Sequence, residues 1–235
     1  QESRGLGDVY KRQGYDITFI NTCFENRKMS YYEHCRYRNF EGVVIVCANF
    51  DDPDVIELMN SEIPVVTIDY VHHNCTAVTS NNIQGMEDLV KYIYSQGHRK
   101  IAYIHGQEGS SVTRDRLASF YRTIDELGLE IPDTYVRSAD YLETKGSAKQ
   151  TKELLNLEDP PTCIIYPDDT SLIGGRNVII EMGLRIPRDI SVAGYDGTMI
   201  SQLLYPKLTT IRQNTEIIGS EAATVSYTHL TLPTT

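Results

Sequence analysis

Short apolar segments of strand length alternate with longer segments of helical periodicity along most of this chain. The clearest helical pattern covers 83–96, where apolar residues fall on one face and Gly97 stands where a helix would end. Similar patterns cover 114–127 and 171–182, and a glycine follows each of them. Strands that alternate with helices favour parallel sheets covered by helices on both faces, because each parallel connection must cross back over the sheet. The predicted strands are 17–20, 43–47, 65–68, 101–104, 163–166, 191–194 and 208–211.

Polar residues follow four of these predicted strands at the point where each strand ends. Parallel sheets bind ligands at the carboxyl ends of their strands, so these residues are expected to line one cleft. Each segment also has a structural alternative, since acidic and hydroxyl residues cap helices and glycine-rich segments form turns. The four segments are Asp69–Tyr70, 105–111, 167–170 and 195–197.

The segment IPRDISVAGYDG, residues 186–197, joins a buried strand to a turn. Its branched and small side chains suit a strand that is packed on both faces. Glycines on both sides of Tyr195 and Asp196 allow the backbone to bend sharply. The turn is therefore predicted to present the phenol and the carboxylate at the carboxyl end of the strand.

Composition excludes several classes of partner. The chain has 235 residues, of which 40% are hydrophobic and 23% charged, as is usual for a soluble globular protein. Its net charge of -10 provides no basic stripe for phosphates, so we do not expect this chain to bind nucleic acid directly. It contains no apolar run of about 20 residues that could span a membrane, and its first residues lack a signal-peptide core. These features favour a cytoplasmic location.

Catalytic and metal-binding patterns are missing from the sequence. There is no G-x-S-x-G elbow, no phosphate-binding loop, no H-E-x-x-H and no nucleophile beside a base. The five cysteines are widely spaced without a C-x-x-C pair, which favours reduced thiols over a disulfide framework. The segment HHNC at 72–75 has no second cluster to complete a metal site. We therefore predict a protein that is not an enzyme and that holds no cofactor and no metal.

Four long segments resemble the effector-binding core of LacI/GalR-type transcriptional repressors. They are GHRKIAYIHG (97–106), RLASFYRTIDELG (116–128), PPTCIIYPDDTSLIGGRNVIIEMGLRIPRDISVAGYDG (160–197) and YPKLTTIRQNTEIIG (205–219). The resemblance extends from about Gly14 to Thr224. It implies an α/β fold of two lobes, a periplasmic-binding-protein-like clamp of doubly wound parallel sheets that closes on a small molecule.

The resemblance also implies which residues contact the ligand. The family's ligand-binding arginine corresponds to Arg116, although Ser119 stands where the family usually has glycine. The aromatic residue that stacks on the ligand corresponds to Tyr141. The remaining predicted ligand-binding residues are the acidic Asp69, Asp168 and Asp196. Carboxylates accept hydroxyl hydrogen bonds, an arginine donates to ring or hydroxyl oxygens, and an aromatic face covers the apolar side of a sugar.

By the same resemblance the chain crosses between lobes twice. Residues 14–80 with 212–225 are predicted to form an incomplete N-terminal lobe, and residues 81–211 a C-terminal lobe. Residues 1–13 and 226–235 do not resemble the family and are predicted to be non-native tails. The helix-turn-helix of the family has no counterpart in this chain, so DNA contact is expected only through a domain outside it.

These observations predict the effector-binding core of a transcriptional regulator. The expected partners are a small-molecule effector, a sugar or alternatively a nucleobase, and a second copy of the chain in a homodimer. The alternative function is the sugar-binding protein of a transport system, which shares the fold but requires an export signal.

Overall fold

The computed structural model describes residues 16–20 and 29–231, with side chains described up to Ser226. The chain divides into two compact units. The first unit contains the chain up to Ser80 together with the chain from Asn214 onwards, and the second unit is Asn81–Gln213. The predicted tail at 1–13 and Cys23 lie outside the described residues, whereas the helix that ends at Thr231 includes part of the predicted tail at 226–235.

The first unit contains a three-stranded parallel sheet. Its elements are α1 (Tyr31–Arg38), β1 (Val43–Ile45), α2 (Pro53–Met59), β2 (Val65–Ile68), β3 (Thr76–Val78) and the final helix α8 (Thr215–Thr231). The strand order is β1-β2-β3. Side chains alternate between the two faces of a strand. Val66 and Ile68 of β2 therefore pack with Ala222 of α8, while Val65 packs with residues of α1 and α2.

The second unit contains a five-stranded parallel sheet in the order β5-β4-β6-β7-β8. The chain enters through α3 (Asn82–Ser95) and leaves after β8 (Thr209–Arg212), and a 3₁₀ turn at Asp133–Tyr135 precedes β5. Between these ends lie β4 (Ile101–His105), α4 (Ser111–Glu126), β5 (Val136–Ser138), α5 (Thr144–Leu155), β6 (Cys163–Ile165), α6 (Asp169–Glu181), β7 (Ser191–Asp196) and α7 (Met199–Leu203).

Both faces of this sheet are buried under helices. Ile101 and Tyr103 of β4 face a core formed with α3 and α4. Their neighbours Ala102 and Ile104 face a second core formed with α5 and α6. Every residue of β4 is buried, as expected for a strand in the interior of a parallel sheet. The polar groups of the second unit therefore gather at the strand ends and on the outer surfaces of the helices.

The predicted fold class is confirmed, because both sheets are parallel and are covered by helices. The three predicted helices are present as α3, α4 and α6, and the glycines that follow them, Gly97, Gly128 and Gly183, have positive φ. Six predicted strands are present with ends shifted by up to two residues. The predicted strand at 17–20 is wrong, since these residues join no sheet and three of the four are exposed. An apolar run forms a strand only where a neighbouring strand accepts its hydrogen bonds.

No helix in the described part of the chain is long and apolar enough to cross a membrane. Residues 16–20 and 29–231 also contain no group of three or more histidine, cysteine or acidic side chains that could hold a metal ion. The cysteines at 35, 75 and 163 carry free thiols, and those of Cys35 and Cys163 are buried.

Replacing Gly174 with alanine is expected to destabilise the second unit. A Cβ atom at this position of α6 would lie 1.9 Å from the carbonyl oxygen of Thr144, at the start of α5. Relieving this overlap requires a shift of two packed helices, so we expect a loss of about 1–3 kcal/mol in the free energy of unfolding. Urea unfolding followed by circular dichroism measures the loss. Asn177→Ala, at an exposed position of the same helix, is the control, and equal stability of the two variants would contradict the prediction.

The Cys163 thiol is expected to resist alkylation in the folded protein. Burial raises its pKa to about 12, and only the thiolate reacts with iodoacetamide. At pH 8 we therefore expect peptide mass spectrometry to find Cys163 unmodified in the native chain and modified in urea. The exposed Cys47 is the internal control. Native Cys163 that reacts as fast as Cys47 would disprove the prediction.

Candidate functional site

Arg116 of α4 lies buried beside the carboxyl ends of the strands in the second unit, with 3% of its surface exposed. Its Nε donates to Oδ1 of Asn82 at 2.8 Å, and its Nη1 donates to the carbonyl oxygen of Pro167 at 2.9 Å. The guanidinium carbon lies 3.5 Å from the centre of the Tyr195 ring, in a cation–π contact. These partners fix the plane of the guanidinium and compensate part of the cost of burying its charge.

Asp196, the last residue of β7, faces the same guanidinium. Its Oδ1 lies 4.0 Å from Nη2 of Arg116, which is longer than a direct hydrogen bond. The same Oδ1 accepts a hydrogen bond of 3.1 Å from Nε2 of Gln213. About 30% of the Asp196 side chain is exposed, so the carboxylate is accessible from solvent. A hydroxyl group could donate to Asp196 and accept from Arg116, and so bridge the two charges.

Tyr141 follows β5 and lies near both charged groups. Its ring covers Gly106, where a Cβ atom would lie 2.0 Å from a ring carbon, so only glycine fits beneath the ring. Its hydroxyl forms a hydrogen bond of 2.8 Å with the Thr113 hydroxyl. Burial raises the pKa of Tyr141, the nearby Arg116 charge lowers it, and Asp196 and Asp168 raise it further. The structure therefore brings Tyr141, Arg116, Asp168 and Asp196 into one region of the second unit.

Asp168 is the N-cap of α6 and is almost fully buried, with 1% exposed. Its Oδ1 accepts from the Ser171 backbone N–H at 2.7 Å. Its Oδ2 accepts from the Ser171 hydroxyl at 2.7 Å and from the Leu142 backbone N–H at 2.9 Å. Asp168 therefore caps α6, which was the structural alternative for this segment. Direct contact of Asp168 with a ligand stays a prediction.

Asp69 belongs to the first unit, at the end of β2. Its backbone has a positive φ of 57°, and its N–H donates to the carbonyl oxygen of Val78 at 2.9 Å. Its carboxylate accepts from the Ser80 backbone N–H at 2.7 Å and from the Ser80 hydroxyl at 3.3 Å. These bonds close the loop around β3, and a ligand contact by Asp69 stays a prediction.

Ser119, where the family usually has glycine, lies inside α4 and is buried. Its hydroxyl donates to the carbonyl oxygen of Ile83 at 2.6 Å, so the extra side chain links α4 to α3. The departure from the family pattern therefore leaves the helix that carries Arg116 regular.

The predicted ligand-binding residues did not include two residues that organise the site, Asn82 and Asp169. Asn82 orients Arg116 from 34 positions away along the chain, and no local pattern signals that bond. Asp169 is fully buried and binds Thr198, which follows β7. For Asp169 the sequence did contain a signal: it directly follows another acidic residue, and one acidic residue is enough to cap a helix.

Comparison with known proteins shows which family the chain resembles. Residues 90–231 match the model of a periplasmic binding protein-like domain. The HTH-type transcriptional repressor PurR of Aliivibrio salmonicida (strain LFI1238) is 27% identical over 225 residues, which are 94% of this chain and 67% of that protein. The chain spans about two thirds of the length of the curated relatives it matches.

Solved structures share the fold. A regulatory protein of the LacI family from Chloroflexus aggregans has a TM-score of 0.81 and 25% identity, covering 97% of this chain and 84% of that one. A LacI family transcriptional regulator from Enterococcus faecium with bound ribose has a TM-score of 0.83 and 22% identity, covering 99% of this chain and 86% of that one. The chain belongs to the family of periplasmic binding protein-like domains and is an effector-binding domain of the LacI/GalR type.

Proposed function

We propose that this chain is the effector-binding core of a transcriptional regulator, and that its effector is a sugar bound at the carboxyl ends of the strands of the five-stranded sheet. The observation that carries the proposal is the Arg116–Asp196 pair, in which a fixed guanidinium and a partly exposed carboxylate face each other across 4.0 Å. The ribose bound by the Enterococcus faecium regulator supports a sugar as the ligand class.

The three side chains of the site match the chemistry of a sugar. Asp196 accepts hydrogen bonds from ring hydroxyls, Arg116 donates to hydroxyl or ring oxygens, and the Tyr141 ring covers the apolar face of the ring. Each contact uses a group that already has a fixed orientation, so little freedom is lost when the ligand binds. A nucleobase, the alternative, would depend more on stacking against Tyr141. Asp69 stays proposed as a ligand-binding residue.

In this proposal the chain binds a ligand and does not convert it. The curated relatives bear the name of a transcriptional repressor. The chain has a net charge of -10, which does not favour binding to DNA phosphates. We therefore propose that a helix-turn-helix domain outside this chain contacts DNA, and that the protein acts in the cytoplasm.

We also propose that the protein forms a homodimer through an apolar patch formed by Met199, Ile200, Leu203 and Tyr205. Leu203 is 75% exposed and Tyr205 is 91% exposed, which is unusual for such large apolar side chains next to one another. Arg176 of α6 donates to the carbonyl oxygen of Tyr205 at 3.3 Å and so links this segment to the main body of the second unit.

Asp196→Asn and Arg116→Lys are expected to weaken sugar binding. Asparagine keeps the shape of Asp196 and tolerates its positive φ of 96°, but it replaces one hydroxyl acceptor with a donor. Lysine keeps the charge of Arg116 and loses its planar fork. Loss of a hydrogen bond to a charged group costs about 1.5–3 kcal/mol, so each variant should bind about 10–150-fold more weakly.

Thermal unfolding with D-ribose, D-glucose and adenine measures this effect. At one hundred times its dissociation constant a ligand adds about 2.7 kcal/mol, which raises the midpoint by about 5–10 °C. Asp189→Asn is the control, because Asp189 pairs with Arg185 before β7, away from the site. A ligand whose shift survives both Asp196→Asn and Arg116→Lys undiminished would refute the site assignment. A midpoint that rises with adenine and with neither sugar would refute the proposal that the effector is a sugar.

Leu203→Glu is expected to dissociate the homodimer, because a charge in the middle of an apolar contact cannot be desolvated without a partner. Light scattering should give twice the chain mass of 26.6 kDa for the parent chain at about 50 µM and the single mass for the variant. Tyr92→Glu, a matched change at an exposed position of α3, should stay dimeric. A parent chain of single mass would exclude this patch as a dimer contact.

A further inference from the structure

Two adjacent carboxylates at the start of α6 reach to loops on opposite sides of β6. Oδ2 of Asp168 accepts from the Leu142 backbone N–H at 2.9 Å, in the loop that follows β5. Oδ2 of Asp169 accepts from the Thr198 backbone N–H at 2.7 Å and from the Thr198 hydroxyl at 3.0 Å, in the turn that follows β7. The two loops carry Tyr141 and Asp196, the aromatic and acidic groups of the site.

Both loops contain backbone conformations that need support. Leu142 has a φ of 58°, and Asp196 and Gly197 have φ values of 96° and 66° in succession. A residue other than glycine in this region costs free energy and persists only where its surroundings hold it. A Cβ at Gly197 would also lie 2.7 Å from the Cα of Arg212, so the turn is pressed against β8.

A second buried carboxylate is not needed to cap α6, since Asp168 already does so. Asp169 is nevertheless completely buried. Burial raises the pKa of Asp169, and the hydrogen bonds from the Thr198 backbone N–H and hydroxyl lower it. A buried carboxylate needs hydrogen bonds that compensate its desolvation, and the two donors to Oδ2 of Asp169 both belong to Thr198, in the turn after β7. The hydrogen bonds of Asp169 therefore stabilise the turn after β7 and do not cap α6.

We propose that Asp168 and Asp169 are positioning residues of the ligand site: Asp168 holds the loop that presents Tyr141, and Asp169 holds the turn that presents Asp196. The consequence for ligand binding depends on the proposed function, whereas the support of the two loops does not. The first residues of α6 thereby set the distance between the aromatic group and the acidic group.

The first test measures amide hydrogen exchange in the 235-residue chain without ligand. Asparagine is a good helix cap and has nearly the same shape as aspartate, so Asp168→Asn, at the cap, and Asp169→Asn, inside the helix, should both fold. We expect Asp169→Asn to speed exchange at 196–198 by about tenfold with no change at Leu142, and Asp168→Asn to do the reverse. Thr198→Val removes only the hydroxyl donor and should give a smaller effect at 196–198. Equal changes at both loops in each variant, or none at either, would overturn the proposal.

The second test measures D-ribose binding by calorimetry in a double-mutant cycle. Asp169→Asn should weaken binding by about tenfold in the parent chain and have no further effect in the Asp196→Asn background, because it acts only through Asp196. Equal weakening in both backgrounds would contradict the positioning role. Asp189→Asn, whose carboxylate accepts from the Arg185 backbone N–H at 2.9 Å, should change neither exchange nor binding. If the parent chain does not bind D-ribose, the proposal that the ligand is a sugar is contradicted. The exchange test would still decide whether Asp168 and Asp169 hold the two loops.

Discussion

Burial of both faces of the five-stranded sheet is the constraint on which the rest of the second unit depends. Helices cover one face around Tyr103 and Phe120 and the other around Ile104 and Ile164. A charged side chain within either layer would lose its hydration without a partner to replace the water. Charged groups are therefore restricted to places where backbone and side-chain partners are available. The carboxyl ends of the strands supply such partners.

Arg116 shows how this constraint fixes the orientation of a charged side chain. Its guanidinium is fixed by Asn82, by the Pro167 carbonyl oxygen and by the Tyr195 ring, all within the second unit. A flexible arginine at the surface would lose rotational freedom on binding, whereas this one has already lost it during folding. In the proposed site, part of the entropic cost of ligand binding is therefore met during folding, and the Asp196 carboxylate faces a guanidinium of fixed orientation.

Periodicity and turn residues predicted the central strands and the three longest helices of the second unit, because those elements bury complete faces. The edge strands β3 and β5 were absent from the apolar runs, since each contains polar residues and is only partly buried. The resemblance to known regulators predicted Arg116 and Asp196 as ligand-binding residues, and the structure shows them facing each other without testing that role. Asn82 and Asp169 escaped because their roles depend on hydrogen bonds between segments far apart in the sequence.

The division of the chain has a consequence for the order of folding during synthesis. The second unit is one continuous stretch, whereas the first unit is assembled from two stretches on either side of it. Val66 and Ile68 of β2 reach their core partner Ala222 only when α8 has been made. Domains generally fold as they emerge from the ribosome. The unit that carries Arg116 and Asp196 can therefore fold first, while one face of β2 stays uncovered until α8 leaves the ribosome.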